Sequence, residues 1–533
     1  MAVNTCCAVL MDTVSIQKYV FASNTLRDNL GASHIVNRLF EDAAVISMAE
    51  ALGIDKDEVK EIMHHWREEP GKMLLDDPAI PFEVGVAGGG KALLFFRDSG
   101  PAKEFIKTFT RDLLLEAPGL HVAVAIDDKF IPDQDFKGSL TSLYEQLAQN
   151  RNKYFPITTL QNHGITAIYS ETGTSLNIYS PSVEKYISIE KATKLEAAKA
   201  EEKVLEEIIT VRHPSYCFSN RMDWLGQTEG NSYIAVVHID GNSMGKWFQE
   251  SRDLENYRHR SRSLKAVTEE SFWDLVDEAV DIMPELTREN GFAVQKDKDG
   301  NKYLPLRPLI LGGDDITFVC EGRLGLYFAE KFLQIWTEKA NPQLSTYGKP
   351  KKGEFSACAG VAIANTKYPF YRTYSFAQEL CTSAKKSARE AKKGSWIDFH
   401  NISGTKSGNL DAIRRDEGVI RDLELYFGPY CLEADQEKSL QHLKNGMHEF
   451  SQWVRSDVKE LRTAFYSGKE VLDTYLMDMA AKGNRLPYKK RVGVDYSDRG
   501  YAGMRTPYFD MLEMMEYYPL FLQGGGIKNE TGN

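Results

Sequence analysis

The chain contains no Cys-x-x-Cys pair: its 7 cysteines stand at positions 6, 7, 217, 320, 358, 381 and 431. This argues against a zinc ribbon and against a disulfide scaffold, and it fits a reducing cytoplasm. No apolar run approaches the length needed to cross a bilayer, so no membrane partner is expected. The opening residues MAVNTCCAVLMDTVSIQ carry no basic segment and place an acid inside the apolar stretch, which is not the pattern of a signal peptide. An excess of positive charge is also missing: 65 Lys and Arg face 76 Asp and Glu, for a net charge of −11. A general nucleic-acid binder needs a basic surface to neutralise phosphates, so that class is disfavoured for the chain as a whole. One local basic cluster remains, at Lys385, Lys386, Arg389, Lys392 and Lys393. What is present is ordinary for a soluble protein of several domains: 533 residues, 42% hydrophobic and 26% charged.

The most informative feature is an internal repeat. Residues 235–248, AVVHIDGNSMGKWF, form an apolar strand that ends in Asp240, and residues 309–319, LILGGDDITFV, read as a strand, a Gly-Gly turn with two acids, and a second strand. The same layout occurs earlier as AVLMDTVSIQKYV (8–20) and VGVAGGGKALLFF (84–96), where Gly90 and Lys91 stand in place of the acidic pair. Asp12 aligns with Asp240 in a shared pattern of aspartate, serine, lysine and aromatic residue, and Gly88-Gly-Gly-Lys91 aligns with Gly312-Gly-Asp-Asp315. Two matches in the same order and at similar separation make duplication the better reading. The fold class expected is α+β: two ferredoxin-like palm domains of β-α-β-β-α-β order plus a helical C-terminal domain. The boundaries read as 1–130 for a degenerate first palm, 131–230 for an inter-palm region, 231–400 for a second palm with the Gly-Gly-Asp-Asp hairpin, and 401–533 for the helical domain. Within these, helices are expected at about 28–51, 185–210 and 266–286, amphipathic stretches stand near 435–453 and 456–481, and the tail QGGGIKNETGN is expected to fray.

Carboxylates at the end of one strand and at the tip of its neighbouring hairpin can converge on one point. Asp240, Asp314 and Asp315 are therefore the candidate catalytic residues. Hard oxygen donors of this kind suit Mg²⁺, which is usually held by one or two carboxylates with substrate phosphates. Metal held there could activate a ribose 3′-hydroxyl and stabilise departing pyrophosphate. Gly312 and Gly313 permit a tight turn and leave room for a nucleotide. The segment from Asp240 to Gly245 leads into a helix, so backbone N–H groups around Gly241, Asn242, Ser243 and Met244 are candidates to hold a triphosphate. Lys385 lies on a basic helix after the fourth strand, and reads equally as a phosphate-binding cation or as part of a solvated face. His238 reads as packed rather than catalytic. In the first palm, Lys91 either neutralises Asp12 or meets the phosphate of a second nucleotide, with a plain structural ion pair at least as good a reading.

These residues resemble the CRISPR polymerase family, the large two-palm subunit of type III CRISPR effector complexes. YIAVVHIDGNSMGKW with LGGDD is similar to that family's second palm, and SIQKYVFASNTLRDNLGASHIV is similar to its first, entered through an Ile-Gln turn. The resemblance implies a metal-dependent nucleotidyltransferase that makes a cyclic oligonucleotide second messenger in antiviral defence, from ATP or another nucleoside triphosphate with Mg²⁺ or Mn²⁺. It implies metal ligation by Asp240, Gly241, Asp314 and Asp315, and a phosphate-binding role for Lys385. The partners implied are nucleoside triphosphates, ATP favoured, and a CRISPR-like RNA–protein complex or a second copy of the chain. Two family features are absent: the chain has no His-Asp dipeptide, and no four-cysteine element occurs between the palms, where residues 163–179 stand instead. The expectation is thus signalling rather than DNA cleavage. The alternative is a catalytically silent scaffold that binds nucleotide or RNA within such a complex.

Overall fold

The first strand, β1 (Cys6–Val14), alternates its side chains between two cores. Cys7, Val9 and Met11 face one apolar cluster, and Cys6, Ala8 and Leu10 face another, the period-two signature of a strand covered on both sides. The structure is a computed structural model. It describes residues 5–522 except 69–73, 75, 133, 153–166, 169–173, 182, 228–231, 289–291, 351–352, 403–407, 422, 434–437, 488–495 and 497–498. Much of the 163–179 stretch and the tail from 523 lie outside the described residues.

After β1 come α1 (Leu26–Arg38), β2 (Phe82–Gly88), β3 (Lys91–Phe96), α2 (Ser99–Glu116) and β4 (His121–Phe130). The sheet order is β2-β3-β1-β4, antiparallel at each join, which is the ferredoxin-like arrangement. Asp98 caps α2 by accepting a hydrogen bond from the Gly100 N–H, and Ala102, Phe105, Phe109 and Leu113 turn inward at helical spacing. The single helix expected at 28–51 is instead α1, a π turn at Leu39–Ala43 and a further helix at Ala44–Leu52. The wider turn lets Leu39 and Phe40 be buried together with Val45 and Met48.

Two helices connect the repeats, α3 (Phe136–Asn152) and α4 (Ile189–Arg212). α4 lies across α1 at Gly31, where a Cβ would come within 1.7 Å of the Lys194 carbonyl oxygen, so the crossing requires glycine. The second repeat then runs β5 (Tyr233–Gly241), α5 (Leu254–Leu286), β6 (Leu306–Gly312), β7 (Asp315–Glu321), α6 (Gly325–Ser345) and β8 (Ala357–Asn365). α7 (Phe370–Ala391), β9 (Trp396–Asn401) and β10 (Tyr430–Cys431) follow. Its sheet order, β6-β7-β5-β8-β9-β10, repeats the first sheet and extends it by two strands. The chain is thus α+β with two ferredoxin-like sheets, followed by helices α8 (Leu440–Phe450), α9 (Arg455–Ser467), α10 (Lys469–Ala481) and α11 (Tyr508–Met514). The amphipathic stretch at 456–481 is two helices, α9 and α10, separated at Gly468, which takes φ 95°.

The repeats share their interiors. Ala235, Val237 and Ile239 of β5 join a core that includes Leu443, Phe450, Leu461 and Tyr508 of the C-terminal helices. Ile234 and Val236 point the other way, into the core of the first repeat with Leu30 and Val36 of α1. One face of the second sheet is therefore covered by α5 and α6, and the other by α7 and the first palm.

Candidate active site

The β-ladder fixes where the acids sit. Asp315 pairs directly with Asp240 across β7 and β5, and Gly312 pairs with Asp315 to close the hairpin. In the first repeat the same ladder positions are Lys91 with Asp12 and Gly88 with Lys91, so the duplication holds residue by residue. The hairpin tip is held from two sides. Gly241 N–H donates to the Asp314 carbonyl oxygen at 3.1 Å, and the Thr268 hydroxyl of α5 donates to the Gly313 carbonyl oxygen at 2.5 Å. A Cβ on Gly241 would lie 2.8 Å from Met244 and 3.1 Å from Asp314, so only glycine lets strand and hairpin approach this closely. Gly313 takes φ 55°, which glycine adopts without strain.

Burial, and then the charge of Asp240, push the Asp314 and Asp315 carboxyls up to about 7; Asp315 adds a further repulsion at Asp314. Asp315 Oδ1 is buried and accepts no hydrogen bond. His238 Nδ1 lies 3.3 Å from it and 3.1 Å from Thr317 Oγ1; burial holds this histidine down at about 4, so it is a neutral, packed floor to the site. Three acids in one place with a shortage of compensating cations make an arrangement that favours added positive charge.

One cation is already there. Lys385 Nζ of α7 lies 2.5 Å from Asp240 Oδ2 and donates to the Gly241 carbonyl oxygen at 3.3 Å. Burial works against its ammonium, but the charge of Asp240 and the hydrogen bond to it outweigh that and hold the group above the ordinary lysine range. Lys392, just past the end of α7, is exposed. Asn242 bonds Ser356 through both its backbone N–H and its side-chain amide, tying the end of β5 to the start of β8. Ser243 is exposed with φ 63° and begins the short helix Met244–Gln249, while Met244 itself is buried.

Two contributors were not identified from sequence. Thr268 reads there as one more polar residue on a helix. Gln17, from the Ile-Gln turn of the first palm, accepts a hydrogen bond from the Gln378 amide of α7 at 2.6 Å. The turn was visible in sequence as a family-like feature, but its reach across the palms was not. In the first palm, Asp12 is 3% exposed and its partner is Arg151 of α3, with Nη1 at 2.8 Å from Oδ2. Burial raises the Asp12 carboxyl, with Lys91 and Arg151 opposing.

The donor set fits a divalent cation, with limits. The oxygens are hard, one is unpartnered, and the carboxyls repel one another. Yet among the described residues no group of three or more Asp, Glu, His or Cys side chains is placed to hold a metal ion by itself. That suits a metal that takes part of its coordination from substrate phosphates, as Mg²⁺ does.

No described helix is long and apolar enough to cross a membrane. A comparison with curated proteins returned no match. Solved structures with similar folds include the Csm1–Csm4 cassette in complex with AMPPNP, at 11% identity over 98% of this chain and 70% of that one, TM-score 0.47. The same cassette in complex with cA3 matches at 11% identity over 96% and 70%, TM-score 0.48. Residues 233–393 match the family described as Cas10/Cmr2, second palm domain, a span that holds Asp240, the Gly-Gly-Asp-Asp hairpin and Lys385. By that match residues 233–393 are similar to the second palm domain of Cas10/Cmr2 proteins.

Proposed function

We propose that the second palm is a metal-dependent nucleotidyltransferase that joins nucleoside triphosphates, ATP favoured, through 3′–5′ phosphodiester bonds into a cyclic oligonucleotide signal. The observation that carries this reading is the ladder pairing of Asp240 with Asp315, with Asp314 at the adjoining tip and Lys385 against the set. Asp240, Asp314 and Asp315 are the residues to hold Mg²⁺ or Mn²⁺, which when bound neutralises phosphate charge and lowers the pKa of an attacking hydroxyl. In the reaction a 3′-oxygen forms a bond to an α-phosphorus, the bond to the β-phosphate oxygen breaks, pyrophosphate leaves, and the hydroxyl proton passes to solvent. Lys385 meets the phosphates as a buried-side cation, and Gly312 and Gly313 keep the hairpin low enough for a nucleotide to lie on it. Incubation of the purified chain with each nucleoside triphosphate and Mg²⁺ or Mn²⁺, followed by mass spectrometry, tests the reading. Metal-dependent nucleotide binding with no pyrophosphate released under any activator would favour a silent scaffold instead.

Two further outcomes follow from the geometry. Lys385→Ala is expected to lower kcat/KM by about 10–100-fold, because the ammonium is a charge-assisted donor in a partly buried site. Unchanged kinetics would show that the lysine serves only Asp240. The apparent affinity for metal is also expected to rise with pH through about 7, where the Asp314 and Asp315 carboxyls lose their protons. The slope approaches about tenfold per pH unit for each proton displaced, and titrations of Mn²⁺ between pH 6 and 8 would read it. A pH-independent affinity contradicts the assignment of these acids as ligands.

A further inference from the structure

We infer that Thr268 is a positioning residue for Asp314: its hydroxyl, reaching out of α5, sets the direction in which the hairpin presents that acid. The inference rests on the nucleotidyl-transfer reading above. Asp314 stands at the tip between two peptide units, and each has its carbonyl oxygen held from outside the hairpin. On one side the Gly313 carbonyl oxygen accepts from the Thr268 hydroxyl at 2.5 Å. On the other the Asp314 carbonyl oxygen accepts from the Gly241 N–H at 3.1 Å. Peptide units are planar, so a residue turns only about its own φ and ψ. Holding the planes on both sides of Asp314 therefore fixes the direction of its Cα–Cβ bond, and with it the point from which the carboxylate extends. The Gly241 bond joins main chain to main chain. The Thr268 bond is the one supplied by a side chain.

The hydroxyl is committed to this contact. Thr268 is buried, and behind it the buried Trp336 of α6 donates from Nε1 to Thr268 Oγ1 at 3.4 Å. An indole N–H only donates and a carbonyl oxygen only accepts, so the hydroxyl between them accepts from Trp336 and donates to Gly313. Serine and threonine inside a helix commonly turn the hydroxyl back onto the carbonyl four residues earlier. Ser271, on the next turn of α5, does so, donating to the Val267 carbonyl oxygen at 2.6 Å. Thr268 has one hydroxyl proton and gives it to the hairpin instead. The first repeat supplies the comparison. Its Gly90 carbonyl oxygen, at the position of the Asp314 carbonyl, accepts from the Thr13 N–H at 2.8 Å and from the Thr13 hydroxyl at 2.9 Å. Its Gly89 carbonyl, at the position of Gly313, accepts from no side chain among the described residues. The hairpin without acids is thus held on one carbonyl, and the hairpin that carries them on two.

Interactions that orient metal ligands are commonly worth about 10–100-fold in metal affinity or activity. The test uses the full chain. Mn²⁺ binding is measured by electron paramagnetic resonance in the presence of a non-hydrolysable ATP analogue, with kcat, KM and melting temperature alongside. Thr268→Val keeps the shape of the side chain and removes the hydroxyl, whereas Thr268→Ser keeps the hydroxyl. Thr268→Val is expected to weaken Mn²⁺ and lower kcat by about tenfold or more, with KM for nucleotide within about twofold of wild type. Thr268→Ser should stay within about threefold of wild type in both readings, because it retains the donor. Wild-type Mn²⁺ affinity and kcat in Thr268→Val overturn the inference, even if its melting temperature falls, since that result leaves Thr268 a purely structural role. Equal impairment of Thr268→Ser and Thr268→Val also overturns it, by assigning the effect to packing. If Thr268→Val does not fold, Thr268→Ala takes its place, since serine and alanine differ by the one hydroxyl at issue. The transfer reading fails separately. A wild-type protein that binds Mn²⁺ but releases no pyrophosphate overturns that reading and leaves the Mn²⁺ comparison to decide the inference; one that binds no Mn²⁺ overturns both.

Discussion

Asp314→Asn combined with Asp315→Asn is expected to reduce product formation by at least about a thousandfold and, at the same time, to stabilise the metal-free protein. The loss of activity follows from removing two of the three neighbouring carboxylates proposed to hold the metal. The gain in stability follows from the same proximity. Both carboxyls are pushed up to about 7 by burial and by Asp240, from an ordinary value near 3.8. The folded protein therefore holds more protons than the unfolded chain between about pH 4 and 7. Its stability falls as pH rises across that window and stays low above it. A tenfold change in the balance between protonated and ionised carboxyl corresponds to about 1.4 kcal/mol. The Asp315 side chain is 34% exposed, so solvent screening reduces the retained effect to about 1–2 kcal/mol for the site. In chelator at pH 8 the double variant should melt about 1–2 °C higher than wild type, and the difference should shrink toward pH 4. Equal melting temperatures at pH 8, or undiminished product, would sink this account. The acids are a local strain that bound cation relieves, the usual trade between stability and activity.

The second large effect concerns Arg258, far from the acids. Arg258→Met is expected to cost about 3–5 kcal/mol, because breaking a buried pair strands the remaining charge. Arg258 side-chain exposure is 3% and that of its partner Glu83 is 7%, with Nη2 at 2.8 Å from Oε1. The guanidinium also donates to the Val84 and Gly85 carbonyl oxygens, where the pairing of β2 with β3 shifts register. Arg258 lies on α5 of the second repeat and Glu83 on β2 of the first, so the pair pins one palm to the other. A fall in melting temperature of about 3–5 °C is expected, partly restored by adding Glu83→Gln, which removes the stranded charge but keeps an acceptor for the Leu74 N–H. A change below about 1 kcal/mol, as for a typical exposed pair, would show that Arg258 is dispensable to the contact. Because α5 also holds the Gly313 carbonyl through Thr268, the same rigid helix touches both hairpins.

Much of the fold was legible in the sequence because its signals are local. The strand before Asp240, the glycine turn at 312–313 and the helical spacing of Phe272, Leu275, Val276 and Ala279 each report an element without reference to its neighbours. The N-terminal end of α5 was not legible. Its buried Arg258 and Arg260 look like a solvated face, and only the carboxylate and carbonyl partners from other elements offset the cost of burying them. The π turn at Leu39–Ala43 and the break at Gly468 were missed for a related reason: a periodic pattern does not state where packing adds a residue or ends a turn.

The sequence by itself determined the two ferredoxin-like repeats, the acids present in one and missing from the other, and the apolar faces that fold each of them. Those properties follow from residue type and spacing along the chain, which sterics and periodic burial translate directly into strands, turns and helices. Only the tertiary structure decided that Lys385 stands against Asp240, that Arg151 rather than Lys91 side-chain charge meets Asp12 at 2.8 Å, and that Gln17 of the first palm meets Gln378 of α7. Such pairs join groups on different elements, and no local pattern carries the docking angle that brings a charge or an amide to its partner.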